Sequence, residues 1–342
     1  MKIALVSMLS LITLMGSAQT MLPAPDYSAL SSSYTLSYAN HPDFSHLEKL
    51  HMHASINGGP VRAFDVDTGS AGIVVAAEDV PDVDPKGPHG QVLYTSSGVE
   101  EEGIRTMATV RFPDAIGDDG KPHTVEARVE VLAVYKTTCL HMGPNSGHCH
   151  PNDHPHVHMM GVGFGRGPDP SAKPLNAFTN LDEMIAGTMH AGYIIEPDGI
   201  HLGLTAQNAG NNFYFQKLQP RDGIPANGPK DWETPTGGFS VNGERMIPAT
   251  VLMDTGLTDM IIEAPGHKHS GEVVDGTPMT IQLPGGLSYS FKVGDGGSST
   301  PSKVNWAEPK HGPHFNAGLR SFAQYDYLYD ADGGYIALRP RK

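Results

Sequence analysis

Phe64–Val75 reads FDVDTGSAGIVV, and Val251–Ile262 reads VLMDTGLTDMII. In each stretch an apolar strand runs into Asp-Thr-Gly, a few small or polar residues follow, and an apolar triplet ends the match. The two aspartates, Asp67 and Asp254, lie about half the chain length apart. An internal repeat at that distance predicts a duplicated lobe.

Composition and turn signals favour an all-β fold in two halves. The 342 residues include 40 Gly and 28 Pro without a collagen-like period, and such a density of turn formers favours many short strands over a helix bundle. Asn57–Pro60 separates two apolar runs as a hairpin turn does, and Tyr325–Leu338 has a strand–turn–strand pattern. Helical signal is scarce, and Leu175–His190 is its best candidate.

A pair of Asp-Thr-Gly motifs suits one kind of chemistry. Two carboxylates within hydrogen-bond reach cannot both ionise easily, so they share one proton. One then accepts a proton from a water between them while the other donates to a carbonyl oxygen, which is general acid–base hydrolysis without a metal or a covalent intermediate. The glycine after Asp-Thr lets the backbone approach the carboxylate and donate N–H bonds, and the threonine can bond across a symmetric interface.

Over roughly residues 48–340 the sequence resembles the pepsin-like aspartic peptidase family. Beyond the two motifs, Met159–Gly161 resembles the apolar-apolar-Gly element beneath the first catalytic loop, and Tyr94 precedes Thr95-Ser-Ser-Gly98 where the family has its flap tyrosine. Gly318–Phe322 and the hairpin after it resemble the closing segment. The resemblance implies a bilobal fold of two related β-barrel lobes with a cleft between them.

The same resemblance implies an aspartic endopeptidase that hydrolyses peptide bonds. Asp67 and Asp254 would form the catalytic dyad, and Tyr94 would close over an extended peptide from the flap. Five further residues would support the two catalytic loops: Thr68, Gly69, Ser70, Thr255 and Gly256. The alternative is a non-catalytic protein on the same fold that binds a peptide, a glycan or a metal.

Three departures from the family pattern suggest a divergent, bacterial branch. Val74 stands where a Trp usually supports the flap tyrosine, and Asn316-Ala317 before Gly318 is less apolar than usual. Leu257 stands where the second motif usually has Thr or Ser. Ser70 can donate a hydrogen bond to Asp67 but Leu257 has no donor, so we expect Asp254 to lack that bond and the dyad to keep its shared proton to higher pH.

The N-terminus predicts export. Met1-Lys2 gives a positive start, Ile3–Met15 is apolar, and Gly16-Ser17-Ala18 is a small-residue cleavage signal; the alternative is a buried N-terminal helix. A membrane span needs about 20 apolar residues, so we expect a protein that is secreted or periplasmic, without a membrane partner. The expected segments are a signal peptide (1–18), an N-terminal arm (19–47), an N-terminal catalytic lobe (48–205) and a C-terminal catalytic lobe (206–342).

Charge excludes some partners. With 23 basic and 37 acidic residues the formal net charge is −14, and no basic cluster offers a face to nucleic acid. The resemblance to aspartic peptidases implies a peptide or protein substrate as the partner, bound by a monomer.

The two cysteines and the histidines near them form a separate feature. Cys139 and Cys149 are the only cysteines, and an exported chain allows them to form one disulfide. No cofactor is expected for catalysis. The histidines could bind Zn²⁺ or Cu²⁺, or could belong to a solvated polar loop; the weak candidates are His148, His150, His154, His156 and His158.

Overall fold

The computed structural model describes residues 23–140, 149–152, 155–165, 173–210, 212–224, 229–266, 270–309 and 312–341. The predicted signal peptide, 1–18, lies outside these residues, as do the beginning of the predicted arm and the histidines His148 and His154. No helix in the described ranges is long and apolar enough to cross a membrane.

The described residues are almost entirely β, which confirms the predicted fold class. The strands are β1 (Tyr34–Leu36), β2 (His51–Ile56), β3 (Arg62–Asp67), β4 (Ala71–Ala76), β5 (His89–Tyr94), β6 (Val99–Gly117), β7 (Pro122–Cys139), β8 (His158–Val162), β9 (Gly192–Glu196), β10 (Gly199–Leu202), β11 (Tyr214–Lys217), β12 (Thr236–Val241), β13 (Ile247–Leu252), β14 (Met260–Glu263), β15 (Gly271–Glu272), β16 (Pro278–Gln282), β17 (Ser288–Lys292), β18 (Val304–Ala307), β19 (His314–Asn316), β20 (Tyr325–Asp330) and β21 (Tyr335–Pro340). Short 3₁₀ turns cover Ala77–Asp79, Ala177–Thr179, Pro284–Gly286 and Leu319–Ala323.

Helix is confined to a single turn in the described part of the chain. The predicted helical segment Leu175–His190 contains a 3₁₀ turn and an α-helix, α1, of four residues, Asp182–Ile185. Asn176 caps the 3₁₀ turn by accepting the Phe178 N–H. Gly187, at φ +74°, takes the left-handed conformation just after α1 and ends it.

The strands form two sheets. In the larger sheet the order is β11-β21-β20-β9-β10-β1-β6-β2-β3-β8-β4-β7, with β5 added on β6; in the smaller it is β15-β18-β14-β19-β13-β12-β16-β17. The long hairpin β6–β7 shows the expected period of two, since Ala108, Val110 and Phe112 alternate toward the core and are almost wholly buried.

The sheets do not divide where the predicted lobes divide. Strands β11, β20 and β21 come from residues beyond 205, yet they lie in the larger sheet, where β20 pairs with β9. The terminal strand–turn–strand that the sequence predicted is the β20–β21 hairpin. The smaller sheet therefore contains only strands between residues 236 and 316, and the chain returns to the larger sheet at its end.

Both sheets repeat one arrangement around the Asp-Thr-Gly motifs. In the larger sheet β8 runs parallel to β3 and antiparallel to β4. In the smaller sheet β19 runs parallel to β13 and antiparallel to β14. Each motif is therefore a loop at the end of a strand whose neighbour is threaded between the two strands that flank the loop.

Candidate active site

The two motif loops meet across a hydrogen-bonded interface with approximate two-fold symmetry. The Thr68 hydroxyl donates to the Met253 carbonyl at 2.6 Å, and the Thr255 hydroxyl donates to the Val66 carbonyl at 2.6 Å. Each threonine N–H donates to the other hydroxyl at 3.0 Å. Because both threonines are buried, these four bonds satisfy backbone groups that water does not reach.

The motif glycines bring each loop against the opposite carboxylate. Gly69 N–H donates to Asp67 Oδ1 at 2.7 Å, and Gly256 N–H donates to Asp254 Oδ1 at 2.8 Å. A Cβ added to Gly69 would overlap the Asp254 carboxylate, and one added to Gly256 would lie 2.7 Å from Asp67 Oδ1. Only glycine, which has no Cβ, leaves room at these two positions for the aspartates to face each other.

The aspartates form a buried, coupled pair. Asp67 is 5% exposed and Asp254 is 8% exposed. Burial, the charge of Asp254 and a hydrogen bond between the two carboxyls raise the pKa of Asp67 above its ordinary value, although bonds from Ser70 and Gly69 oppose the change. The pair is therefore built to hold one proton in a range where an isolated aspartate has lost it.

The second hydrogen bond to each carboxylate comes from different parts of the two lobes. The Ser70 hydroxyl donates to Asp67 Oδ2 at 2.5 Å, as the sequence predicted. The corresponding Leu257 has no donor, but Asn316 Nδ2 donates to Asp254 Oδ2 at 2.5 Å. The expectation that Asp254 lacks a second donor is therefore wrong, because β19 supplies one.

Asn316 is the site residue that the sequence analysis missed. Its only signal in the sequence was its polarity: Asn316 stands before Ala317-Gly318 at the position where the first motif's matching segment has the apolar Met159. Nothing local to Asn316 points to Asp254, which precedes it by 62 residues.

Tyr94 is the last residue of β5. Its ring packs on a small apolar cluster of Val74, Leu132 and Val134. Burial, and next the charge of Asp67, raise the pKa of the Tyr94 hydroxyl well above its usual value. That hydroxyl is buried, and no described residue bonds to it. The Tyr94 hydroxyl is therefore a buried donor that no described residue uses.

The predicted disulfide is present, since Cys139 and Cys149 are bridged with their Cα atoms 5.8 Å apart. It joins the end of β7 to the segment that leads to β8. Cys139 lies opposite Val99, just past the turn that follows Tyr94. The bridge therefore fixes the chain next to the turn between β5 and β6.

The described histidines of the predicted metal set do not converge. His150 is exposed, and His156 Nδ1 lies 3.3 Å from Glu78. His158 Nε2 lies 2.6 Å from Asp79, whose other oxygen takes two bonds from Arg62. In the described part of the chain, none of the three joins a group of three ligand atoms within reach of one ion.

A different set of side chains comes together away from the dyad. Ligand atoms of Glu196, Asp198 and His201 lie within 4.8 Å of one another. The His201 ring lies between the two carboxylates, at 3.2 Å and 3.3 Å, and Arg339 also pairs with Glu196. These contacts form a cluster of possible ion pairs around His201. Burial opposes a charge on the imidazole, but the two carboxylates raise the pKa of His201 above its ordinary value.

No family model matches the chain, and no curated protein matches it.

Proposed function

We propose that the protein is an exported aspartic-type endopeptidase, a divergent member of the pepsin-like family, with Asp67 and Asp254 as its catalytic dyad. One observation carries the proposal: two buried aspartates stand in duplicated loops that hydrogen-bond to each other across a symmetric interface, with the glycine of each loop against the opposite carboxylate. Burying two like charges side by side is costly unless they share a proton. A purely structural role gives no reason for that cost.

The proposed reaction uses water and the two carboxyls alone. The ionised carboxylate takes a proton from a water held between the pair, and the hydroxide formed adds to the substrate carbonyl carbon. The protonated carboxyl donates its proton to the carbonyl oxygen, which gives a tetrahedral diol. The carboxyl that took the proton from water then gives it to the amide nitrogen, while the other carboxylate takes a proton from one diol hydroxyl; the C–N bond breaks, an acid and an amine are released, and the dyad again holds one proton.

An extended peptide is the substrate that this site suits. The flap strand β5 pairs with β6 on one side, so its other edge can add a peptide strand through backbone hydrogen bonds. In the proposal, the Tyr94 hydroxyl, which has no partner among described residues, donates to the bound peptide or to a water. One chain supplies all of these features, so the proposed enzyme acts as a monomer.

The test uses the protein from residue 19 onward, without the predicted signal peptide, to digest a peptide library between pH 3 and 7. We expect cleavage that pepstatin blocks. Asp67→Asn and Asp254→Asn keep the shape of the side chain but remove the titratable group, so each should lower kcat/KM by about 10²–10⁴-fold or more. Circular dichroism checks that both variants keep the wild-type fold.

Two results separate the proposal from its alternatives. EDTA should leave cleavage unchanged, because the two carboxyls need no metal. Cleavage that survives in Asp67→Asn would refute the dyad mechanism, and peptide binding without cleavage in the wild type would favour a non-catalytic binding protein.

Export is part of the proposal. The disulfide shown by the structure suits an oxidising compartment, and residues 1–18 have the composition of a signal peptide. Mass spectrometry of the mature protein from its native source should find the N-terminus near residue 19. An N-terminus at Met1 would contradict it.

A further inference from the structure

The two lobes exchange a polar and an apolar residue around their aspartates. In the repeat, Ser70 corresponds to Leu257, because both follow their aspartate by three positions. The first loop therefore has a hydroxyl where the second has an apolar side chain. The threaded strands show the opposite difference, with Met159 in the first lobe and Asn316 in the second.

The strand register shows that Met159 and Asn316 occupy the same place. Met159 lies opposite Val74 in the antiparallel ladder between β8 and β4, and Asn316 lies opposite Ile261 in the ladder between β19 and β14. Val74 and Ile261 are repeat partners, each seven positions after its aspartate. The parallel ladders agree, since Met159 faces residue 65 and Asn316 faces residue 252, two positions before each aspartate.

The Asn316 amide is held in one orientation. Its Oδ1 accepts the Gly318 N–H at 2.9 Å, so its Nδ2 faces Asp254 Oδ2 at 2.5 Å. Asn316 is 8% exposed, which leaves little water to compete for the carboxylate. Two independent contacts thus agree on which end of the amide is the donor.

We propose that Asn316 is a positioning residue of the dyad, which holds Asp254 and stabilises its ionised form in place of the hydroxyl that Leu257 lacks. This inference rests on the proposed function, because it assigns Asn316 a part in setting the pH range of the reaction. Asn316 acts through Asp254 and makes no contact with substrate in the proposal. The pair Leu257 and Asn316 is a compensated exchange, with the donor moved from the loop to the neighbouring strand.

The groups that face the dyad define what else can titrate there. Asp67 faces Asp254 directly. Burial is the main cause that raises the pKa of both Tyr94 and Tyr193; the charge of Asp67 adds to it, at Tyr193 only after the effects of Tyr327 and Tyr329. These tyrosines stay neutral throughout the range of interest. Asp259, on the same loop as Asp254, accepts a hydrogen bond from Asn305. The carboxyls of the dyad are therefore the groups that a change at Asn316 reaches first.

The measurable quantity is the sum of the two midpoint pH values in the profile of kcat/KM. That sum reflects the free energy between the doubly protonated and the doubly ionised pair, so it registers a lost donor wherever the shared proton resides. A hydrogen bond to an ionised group lowers its proton affinity. Asn316→Met, which installs the first-lobe residue, should raise the sum by about one to two pH units.

A second substitution tests the exchange itself. Leu257→Ser added to Asn316→Met gives the second lobe the first-lobe arrangement, and the sum should return toward the wild-type value. Met159→Leu changes the matched strand position of the first lobe and should leave the sum unchanged. If methionine is not accommodated at residue 316, Asn316→Ala removes the same donor without added bulk.

A readout that needs no activity keeps the two proposals separate. Carbon-13 NMR of protein labelled at the aspartate carboxyls follows the dyad directly, so an upward shift in Asn316→Met supports the role of Asn316 even if no peptide is cleaved. Absence of cleavage in the wild type would count against the proposed function alone. An unchanged carboxyl titration in both Asn316→Met and Asn316→Ala, with the fold intact, would overturn the role of Asn316. If the sum of the two midpoints does not return toward the wild-type value in the double variant, the idea that Asn316 replaces the donor missing at Leu257 would be overturned.

Discussion

The two motif loops obey symmetry in one respect and break it in another. Thr68 and Thr255, 187 residues apart, exchange matched bonds of equal length. The Oδ2 atoms of the two aspartates accept hydrogen bonds from donors in different kinds of element: Ser70 lies in the motif loop, and Asn316 lies on a strand. The contrast has a physical reason. An interface between two copies must be satisfied by both copies at once, whereas a carboxylate needs only a donor at the right point in space.

The largest expected effect comes from breaking the symmetric hydrogen bonds between Thr68 and Thr255. Thr68→Val and Thr255→Val should each lower the free energy of unfolding by about 2–5 kcal/mol, because each leaves a buried carbonyl and a buried N–H unpaired. Symmetry predicts that the two losses agree within about 1 kcal/mol, the precision of such comparisons. Urea unfolding measures both, and Thr106→Val, in a half-buried strand position of β6, is the control. Clearly unequal losses would show that the interface is not shared equally.

The glycines sharpen the comparison, because their crowding differs. An added Cβ at Gly69 overlaps the Asp254 carboxylate, while one at Gly256 lies 2.7 Å from Asp67 Oδ1. Overpacking costs about 1–3 kcal/mol, and we expect Gly69→Ala to lie at the upper end and Gly256→Ala at the lower end. The same order should hold for the loss of kcat/KM. The reverse order, in both stability and rate, would mean that the first loop yields more easily than the second.

The sequence could predict the symmetric part of the site because that part is local. Asp67, Thr68 and Gly69 stand next to one another, and their repeat partners do too, so the motif carries the dyad, the threonine bonds and the close approach together. The disulfide was also predictable, since two cysteines allow only one bridge. Asn316 was not, because its contact depends on the register of β19 beside β13, which no short motif encodes.

Which strands pair with each other was harder still to predict from the sequence. The hairpin β20–β21 was evident from its alternating pattern, but its pairing with β9 in the larger sheet involves residues more than 100 positions away. Period-two alternation reports which face of a strand is buried and does not report which strand lies beside it. The predicted helix was short for a related reason, since tertiary packing and Gly187 limited it to one turn.

The side-chain donors to the two carboxylates are tested first at Ser70. Its hydroxyl donates to Asp67 Oδ2, and this bond lowers the pKa of Asp67 against the stronger effect of burial. Ser70→Ala should therefore raise the sum of the two midpoints of the kcat/KM profile by about one to two pH units. Ser97→Ala, in the turn after Tyr94, is a control for serine loss near the site. A fall in the sum would mean that the hydroxyl favours the protonated carboxyl.

Leu257→Thr should have the smallest effect. If Asp254 had no second donor, a new hydroxyl at residue 257 would lower the midpoints as strongly as Ser70 does. Asn316 already donates to Asp254 Oδ2 at 2.5 Å, so the threonine hydroxyl must compete with the amide for that oxygen, and a hydroxyl that displaces the amide replaces one hydrogen bond with another. Leu257 is also buried, and an unsatisfied hydroxyl there costs about 1–3 kcal/mol of stability. We expect the sum of the midpoints to move by less than about half a pH unit, with a modest loss of stability in urea. A downward shift as large as the upward shift of Ser70→Ala would show that Asn316 does not serve Asp254 as Ser70 serves Asp67. The two lobes would then differ in how well their carboxylates are held, rather than only in which element supplies the donor.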